Sequence, residues 1–257
     1  MTLRRTNNPR LTRNFLPGTC RAFLSQEAPM RLAAQMRGGY YPAHANAVAH
    51  AATFLRPPQN SSFAVLDPCA GTGAAIKQLA NILGCPEEMT YAIELDDGRA
   101  EDVKAALPDA QVLAPASFFG CRASPNSFSF IWLNPPFDFS FGGHRVEDQF
   151  LQIATQWLMP GGVMALVCPE NVIDDYSDAR QHFMTYYENC TIEPFPAGDR
   201  PFKEVIVFGH KRARPNVNGK RDNTWETGKR VWQKVLAALS GFGQKACPIG
   251  FPLPGLL

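Results

Sequence analysis

Apolar residues in this chain fall in short blocks that stop at glycine, proline or an acid, and their spacing predicts alternating strands and helices. Phe63 to Leu66 is a strand-sized block, and Gly73 to Leu83 has helical spacing and closes on Gly84. Thr90 to Leu95 predicts a second strand, Asp97 to Leu107 a helix stopped by Pro108, and Gln111 to Leu113 a third strand. Phe128 to Leu133 is a fourth strand, entering Asn134-Pro135-Pro136-Phe137. Val146 to Leu158 reads as a helix, and Pro160-Gly161-Gly162 as the turn into a fifth strand, Val163 to Cys168. A helix over Asp174 to Glu188 and two late strands, Thr191 to Phe195 and Glu204 to Gly209, complete the pattern. A further helix, Asn46 to Leu55, precedes it and ends before Pro57 and Pro58. Repeated strand-helix units with short links imply an α/β fold with a doubly wound, mostly parallel seven-stranded sheet. The last two strands, with no full helix between them, predict an antiparallel hairpin at its edge.

The 257 residues are 45% apolar and 19% charged, which suits one large folded domain and excludes a low-complexity chain. No stretch approaches the roughly 18 uninterrupted apolar residues of a membrane helix, and the N-terminal residues lack the pattern of a secretory signal. The expected location is the cytoplasm, in association with the nucleoid. Seven widely spaced cysteines without a C-x-x-C pair predict reduced, mostly buried thiols and no metal site.

Charge separates along the chain. Residues 1–37 hold seven arginines and one acid, a net of +6, residues 38–198 a net of −11, and residues 199–234 a net of +6. Basic flanks on an acidic body suit a polyanionic partner, because each Lys or Arg on a phosphate releases a counterion; solvated tails would have the same composition. The division that follows is a basic flexible arm over 1–29, a central domain over 30–212, and a basic C-terminal extension over 213–257 with one helix at Thr224 to Leu239.

Two constellations carry chemistry. In Asp67-Pro68-Cys69-Ala70-Gly71-Thr72-Gly73 a strand ends in an acid and a glycine turn opens a helix, so that backbone can approach a ligand closely. The turn lacks the third glycine of a dinucleotide site and the Gly-Lys-Ser/Thr of a P-loop, which favours a nucleoside ligand without phosphates. One strand-helix-strand unit later, Glu94 stands where an acid accepts hydrogen bonds from both hydroxyls of a ribose. The second constellation is Asn134-Pro135-Pro136-Phe137, at the strand end where α/β sheets bind ligands.

From Arg31 to Arg212 these residues resemble the class I S-adenosylmethionine-dependent methyltransferases. The resemblance implies S-adenosylmethionine as cofactor, with Asp67, Pro68, Ala70, Gly71 and Gly73 beneath its methionine part and Glu94 and Leu95 at the ribose. Asn134-Pro135-Pro136-Phe137 is similar to the Asp/Asn-Pro-Pro-Tyr/Phe motif of amino-methyltransferases, which act on planar nitrogens such as adenine N6, cytosine N4 or a glutamine amide. It implies that the Asn134 side-chain oxygen and the Pro135 carbonyl accept the two N–H bonds of the target amine, that Pro136 stiffens the turn, and that Phe137 stacks on the base. Gly38-Gly39-Tyr40-Tyr41-Pro42 resembles the segment that precedes the cofactor motif in circularly ordered adenine-N6 enzymes, which places Tyr41 and Pro42 beside the cofactor, with Asn134 on its other side. Where the family often has an acid after the third strand, this chain has Ser117, able to hydrogen-bond, and Phe118, able to stack. Pro196 to Phe202 resembles the loop that helps hold a flipped base, with Phe202 and Lys203 as substrate contacts, and the loop Asp138 to Asp148 is expected to close over the site.

The resulting expectation is a DNA adenine-N6 methyltransferase. RNA adenine, a protein glutamine, and a non-catalytic nucleic-acid-binding subunit remain open. Only about 45 residues follow the last strand, too few for the usual target-recognition domain, so a separate specificity subunit or nonspecific phosphate contacts would guide it. No membrane and no metal enter this reading.

Overall fold

Seven strands hydrogen-bond into one sheet, and the order in which they do so decides where a ligand can bind. They are β1 (Val65–Asp67), β2 (Thr90–Ile93), β3 (Gln111–Leu113), β4 (Phe128–Leu133), β5 (Leu158–Pro169), β6 (Tyr187–Pro194) and β7 (Glu204–Lys211). In space they run β3-β2-β1-β4-β5-β7-β6. Neighbours pair in parallel except β7, which is antiparallel to β5 on one side and to β6 on the other. The computed structural model describes residues 12–13, 41–58, 63–138, 145–174, 177–196, 203–217 and 249–250.

The chain lays β2 and β3 to one side of β1, then crosses back to place β4 on the other. A crevice therefore opens beyond the carboxyl ends of β1 and β4, where crossovers leave in opposite directions. Both motifs leave the sheet there, side by side, because Leu66 is level with Ile131.

The sheet is covered on both faces, which explains strands with no polar alternation. From Phe130 on, alternate residues of β4 divide between two cores, and Phe128, before the bulge, joins the second. Phe130 and Trp132 pack with Val48, Ile76 and Leu79 from the helices α1 (Ala45–Ala52) and α2 (Ala74–Leu83). Phe128, Ile131 and Leu133 pack with Leu151, Ala154 and Phe183 from α4 (Val146–Trp157) and α5 (Asp178–Tyr186). Helix α3 (Asp97–Ala106) follows β2 and buries Ala100 and Val103. Fully burying one such large side chain stabilises the fold by about 1.5–3 kcal/mol.

The expected fold class stands, with the hairpin of β6 and β7 at one edge and β7 inserted inside it. Several boundaries move. The pattern predicts a helix from Asp174, but Glu170–Ile173 is a short 3-10 turn and α5 begins at Asp178, capped by Ser177, whose hydroxyl accepts from Arg180 N at 3.2 Å. Tyr187 and Glu188, expected to be helical, belong to β6, because pairing with β7 satisfies their backbone. Pro160-Gly161-Gly162 lies within β5 rather than before it. Leu158 pairs with Phe128 and Val163 with Phe130, so a bulge holds the glycines, with Gly161 at φ +74°. Helix α1 stops at Ala52, and Leu55–Arg56 pairs in parallel with Ile249–Gly250, as Thr12–Arg13 pairs antiparallel with Cys121–Arg122. The rest of the arm, Tyr40, the loop at 139–144, Phe202 and the helix expected at Thr224 to Leu239 lie outside the described residues. Five of the cysteines are described, all as free thiols and four of them buried.

Candidate active site

The glycine turn and the acid after β2, separate signals in the sequence, form one hydrogen-bonded unit. Gly71 N donates to Glu94 Oε2 at 2.7 Å, and Ala70 N donates to the Ile93 carbonyl at 2.9 Å. Both glycines need the left-handed region: Gly71 sits at φ +57° and Gly73 at φ +80°, where Gly73 caps α2. A Cβ on Gly73 would lie 3.2 Å from Val103 Cγ2 and 3.3 Å from Leu107 Cδ1, so the turn is also pressed against α3.

Asp67 is buried at the end of β1, and its Oδ1 accepts from Cys69 N at 2.9 Å. Burial raises its pKa to about 7 against the opposing effect of that hydrogen bond, and the neighbouring Glu94 charge adds to the rise. Glu94 is 4% exposed and also accepts Asp96 N at 2.8 Å and Arg99 Nη2 at 3.0 Å on Oε1. Leu95 beside it is 68% exposed, an apolar side chain turned out at the mouth of an otherwise polar turn. The loop after β3 is laced to this place, since Glu94 N donates to the Leu113 carbonyl and Ala116 N to the Glu94 carbonyl. Ser117 is therefore close to Leu95 in the backbone, and exposed. This donor and acceptor set suits a nucleoside: Glu94 keeps one acceptor position on Oε2, and Leu95 presents an apolar face for a flat ring.

At the end of β4 the Asn134 amide is fixed from one side only. Its Nδ2 donates to the Tyr41 carbonyl at 2.9 Å, whereas Oδ1 is buried with no hydrogen-bond partner among the described residues. A buried acceptor left unpaired costs on the order of 1–3 kcal/mol, so it marks a place where a donor is expected to arrive. The Tyr41 ring stacks on Phe137 with centroids 5.5 Å apart and planes 5° apart. Tyr41 thus holds the amide nitrogen of Asn134, 93 residues away, and stacks on the aromatic ring of the same motif. It is held there by α1, whose Ala45 carbonyl accepts from Gln78 Nε2 of α2 at 2.9 Å. Pro135 is buried, Pro136 half-buried and Pro42 exposed.

One expected contact is placed elsewhere. Phe118 is 3% exposed, stacked on Phe150 at 4.8 Å and edge-on to Trp157, so its ring is spent on the core, while the next residue, Phe119, is exposed. Lys203 is exposed at φ +56°, and its carbonyl accepts from Glu170 N.

The sequence reading missed two charged pairs. Arg99 on Glu94 is one. The other is Arg145 on Glu147, 2.8 Å apart, with Glu147 fully buried and its pKa raised, burial outweighing the arginine. With Val146 N donating to the Asp138 carbonyl, this pair ties the start of α4 to the residue that follows Phe137. The acid one turn before Arg99 was the available signal for the first pair. Only packing reveals the second.

Comparison with known proteins decides the chemistry at its coarser level. The model of an uncharacterised methyltransferase family, DUF6094, matches residues 19–230. The chain belongs to that family. S-adenosylmethionine is the expected cofactor of this methyltransferase. A protein described as a class I S-adenosylmethionine-dependent methyltransferase from Listeria monocytogenes superposes with a TM-score of 0.57 at 13% identity, over 79% of this chain and 72% of that one. The tRNA (m1A58) methyltransferase TrmI from Aquifex aeolicus gives 0.51 at 13%, over 67% and 70%. The methyltransferase subunit of a type I restriction-modification system from Streptococcus thermophilus gives 0.51 at 17%, over 79% and 52%. At such identities the likeness shows the fold. No curated protein matches the chain. Among the described residues no helix is long and apolar enough to cross a membrane.

Proposed function

We propose that this methyltransferase methylates the exocyclic N6 amine of adenine in DNA, with Asn134, Pro135, Pro136 and Phe137 as its catalytic residues. The observation that carries the reading is the Asn134 amide, whose nitrogen is held by Tyr41 while its buried oxygen stays unpaired. An exocyclic amine is a poor nucleophile because its lone pair is delocalised into the ring. Asn134 Oδ1 accepts one of its N–H bonds and the Pro135 carbonyl the other, which draws the nitrogen toward tetrahedral geometry and concentrates the lone pair on the side away from both acceptors. The prolines fix these acceptors in advance, so little reorganisation remains at the moment of reaction. Phe137, stacked on Tyr41, is the aromatic residue that contacts the base, an interaction worth about 1–3 kcal/mol in single-strand binders. S-adenosylmethionine, when bound, supplies an electrophilic methyl carbon. Asp67, Pro68, Ala70, Gly71, Gly73, Glu94 and Leu95 hold it, with Ser117, Tyr41 and Pro42 at the rim. No strong base is needed, since the amine becomes acidic only as it is alkylated.

An adenine in duplex DNA reaches this crevice only by leaving its stack. The basic stretches at residues 1–37 and 199–234, with Lys203 among them, favour a phosphate backbone, and a separate specificity subunit would read the sequence.

The test is mass spectrometry of nucleosides from cells expressing the wild type or Asn134→Ala. N6-methyladenine in DNA from the wild type alone is the expected result, and equal modification in both overturns the role of Asn134. Labelled-methyl assays on duplex DNA, single strands, RNA and protein read the other outcomes: transfer to RNA adenine or to a protein glutamine replaces the substrate, and cofactor binding without transfer to any of them makes the chain a binding subunit.

A further inference from the structure

We propose that Arg99 is a positioning residue for the cofactor ribose, reserving one oxygen of Glu94 so that the carboxylate grips the sugar through the other oxygen alone. This rests on the reading of Glu94 as the ribose acid. Each carboxylate oxygen accepts about two hydrogen bonds. Oε1 receives Asp96 N at 2.8 Å and Arg99 Nη2 at 3.0 Å, and is filled. Among the described residues, Oε2 receives only Gly71 N, at 2.7 Å, and keeps one place. A two-oxygen grip on a vicinal diol would have to displace a charge-assisted bond, whereas a single hydroxyl on Oε2 displaces nothing.

Arg99 is itself held in place. Its backbone N–H donates to Asp96 Oδ1 at 3.0 Å, the bond that caps α3, and its Nη1 lies 3.6 Å from the same oxygen. The start of α3 thus sets the guanidinium, and the guanidinium sets Glu94. The charge matters as much as the geometry. Glu94 is almost wholly buried, and a buried acid is stable where a hydrogen-bonded cation pairs with it. Among the described residues, the cation that pairs with Glu94 is Arg99, which also lies beside Asp96. An arginine stays charged at every working pH and spans both acids with its planar fork, which a lysine does not.

If the pair served only to start α3, its loss would weaken every ligand alike. Calorimetric titration with S-adenosylhomocysteine and with its 2′,3′-dideoxy analogue separates the two roles. Arg99→Gln is expected to weaken S-adenosylhomocysteine by on the order of tenfold while leaving the dideoxy ligand within about twofold. Arg99→Lys, which retains the charge, should recover part of the difference between the ligands. Equal weakening of both ligands, no change in either, or tighter binding of S-adenosylhomocysteine overturns the proposal, and so does an Arg99→Lys protein with the full wild-type preference for the hydroxylated ligand. Glu94→Gln tests the underlying reading separately. If it leaves the preference intact, Glu94 is not the ribose acid; if it removes the preference and the Arg99 variants do not reduce it, only the role of Arg99 fails.

Discussion

The ends of β2 and β4 face the same crevice and are finished in opposite ways. After β2, Glu94 already holds three protein donors and has one place left. After β4, Asn134 has its donor engaged and its acceptor buried without a partner among the described residues. The first is a satisfied network that survives without a ligand and adds one bond when a ligand comes. The second stores an unpaid desolvation cost that only a donor from outside can relieve. On the proposed reading, binding is built from satisfied groups and reaction from an unsatisfied one, so cofactor affinity and methyl transfer should respond to different residues.

The sharpest break in that contrast is Asn134→Ala. It should lower methyl transfer by about 100- to 1000-fold, the range for losing one preorganised polar contact in a transition state. Titration with S-adenosylhomocysteine should change by less than about threefold, whereas a comparable loss there would make Asn134 part of the cofactor network. Phe137→Ala comes next. Losing the stacking face should weaken the target by about 1–3 kcal/mol, read as a raised KM for substrate with the cofactor KM unchanged. On the other side, Gly73→Ala forces a Cβ onto a residue at φ +80° with Val103 Cγ2 at 3.2 Å, and should cost about 1–2 kcal/mol in urea unfolding. A neutral result would mean that the turn yields more easily than its contact with α3 implies.

The last effect is one of pH. Asp67 has its pKa raised from 3.8 to about 7 by burial, so the folded protein holds that proton more tightly than the unfolded chain. The stabilisation is complete below about pH 4 and is lost as pH rises through about 7. Asp67→Asn should flatten this part of the melting temperature profile, measured without ligand. An unchanged slope would assign it to other acids, such as the half-buried Glu193, whose pKa burial also raises to about 7.

How much was legible depended on the range of the cause. Strand β4 was readable to the residue because Phe128–Leu133 is apolar on both faces, and α2 because Gly73 and Gly84 bracket it. Helix α5 was read too long at both ends. Ser177 caps it locally, but Tyr187 and Glu188 continue its composition, and only pairing with β7 makes them strand. In the site, the glycine turn, Glu94 and Asn-Pro-Pro-Phe were visible as motifs. The place of Phe118 was not, since an aromatic residue beside a ligand loop and one in the core have the same sequence, and the stack on Phe150 decides between them.

By itself the sequence determined the strand and helix order, the two strand-end motifs and the class of ligand they suit, because turns, caps and apolar runs are set by neighbours along the chain. Only the tertiary structure decided that Gly71 meets Glu94, that Arg99 takes one of its oxygens, and that the Tyr41 carbonyl fixes the Asn134 amide. Those bonds join residues on different elements, and hydrogen bonds have direction: which oxygen is filled and which is left bare exists only once the strands are laid side by side.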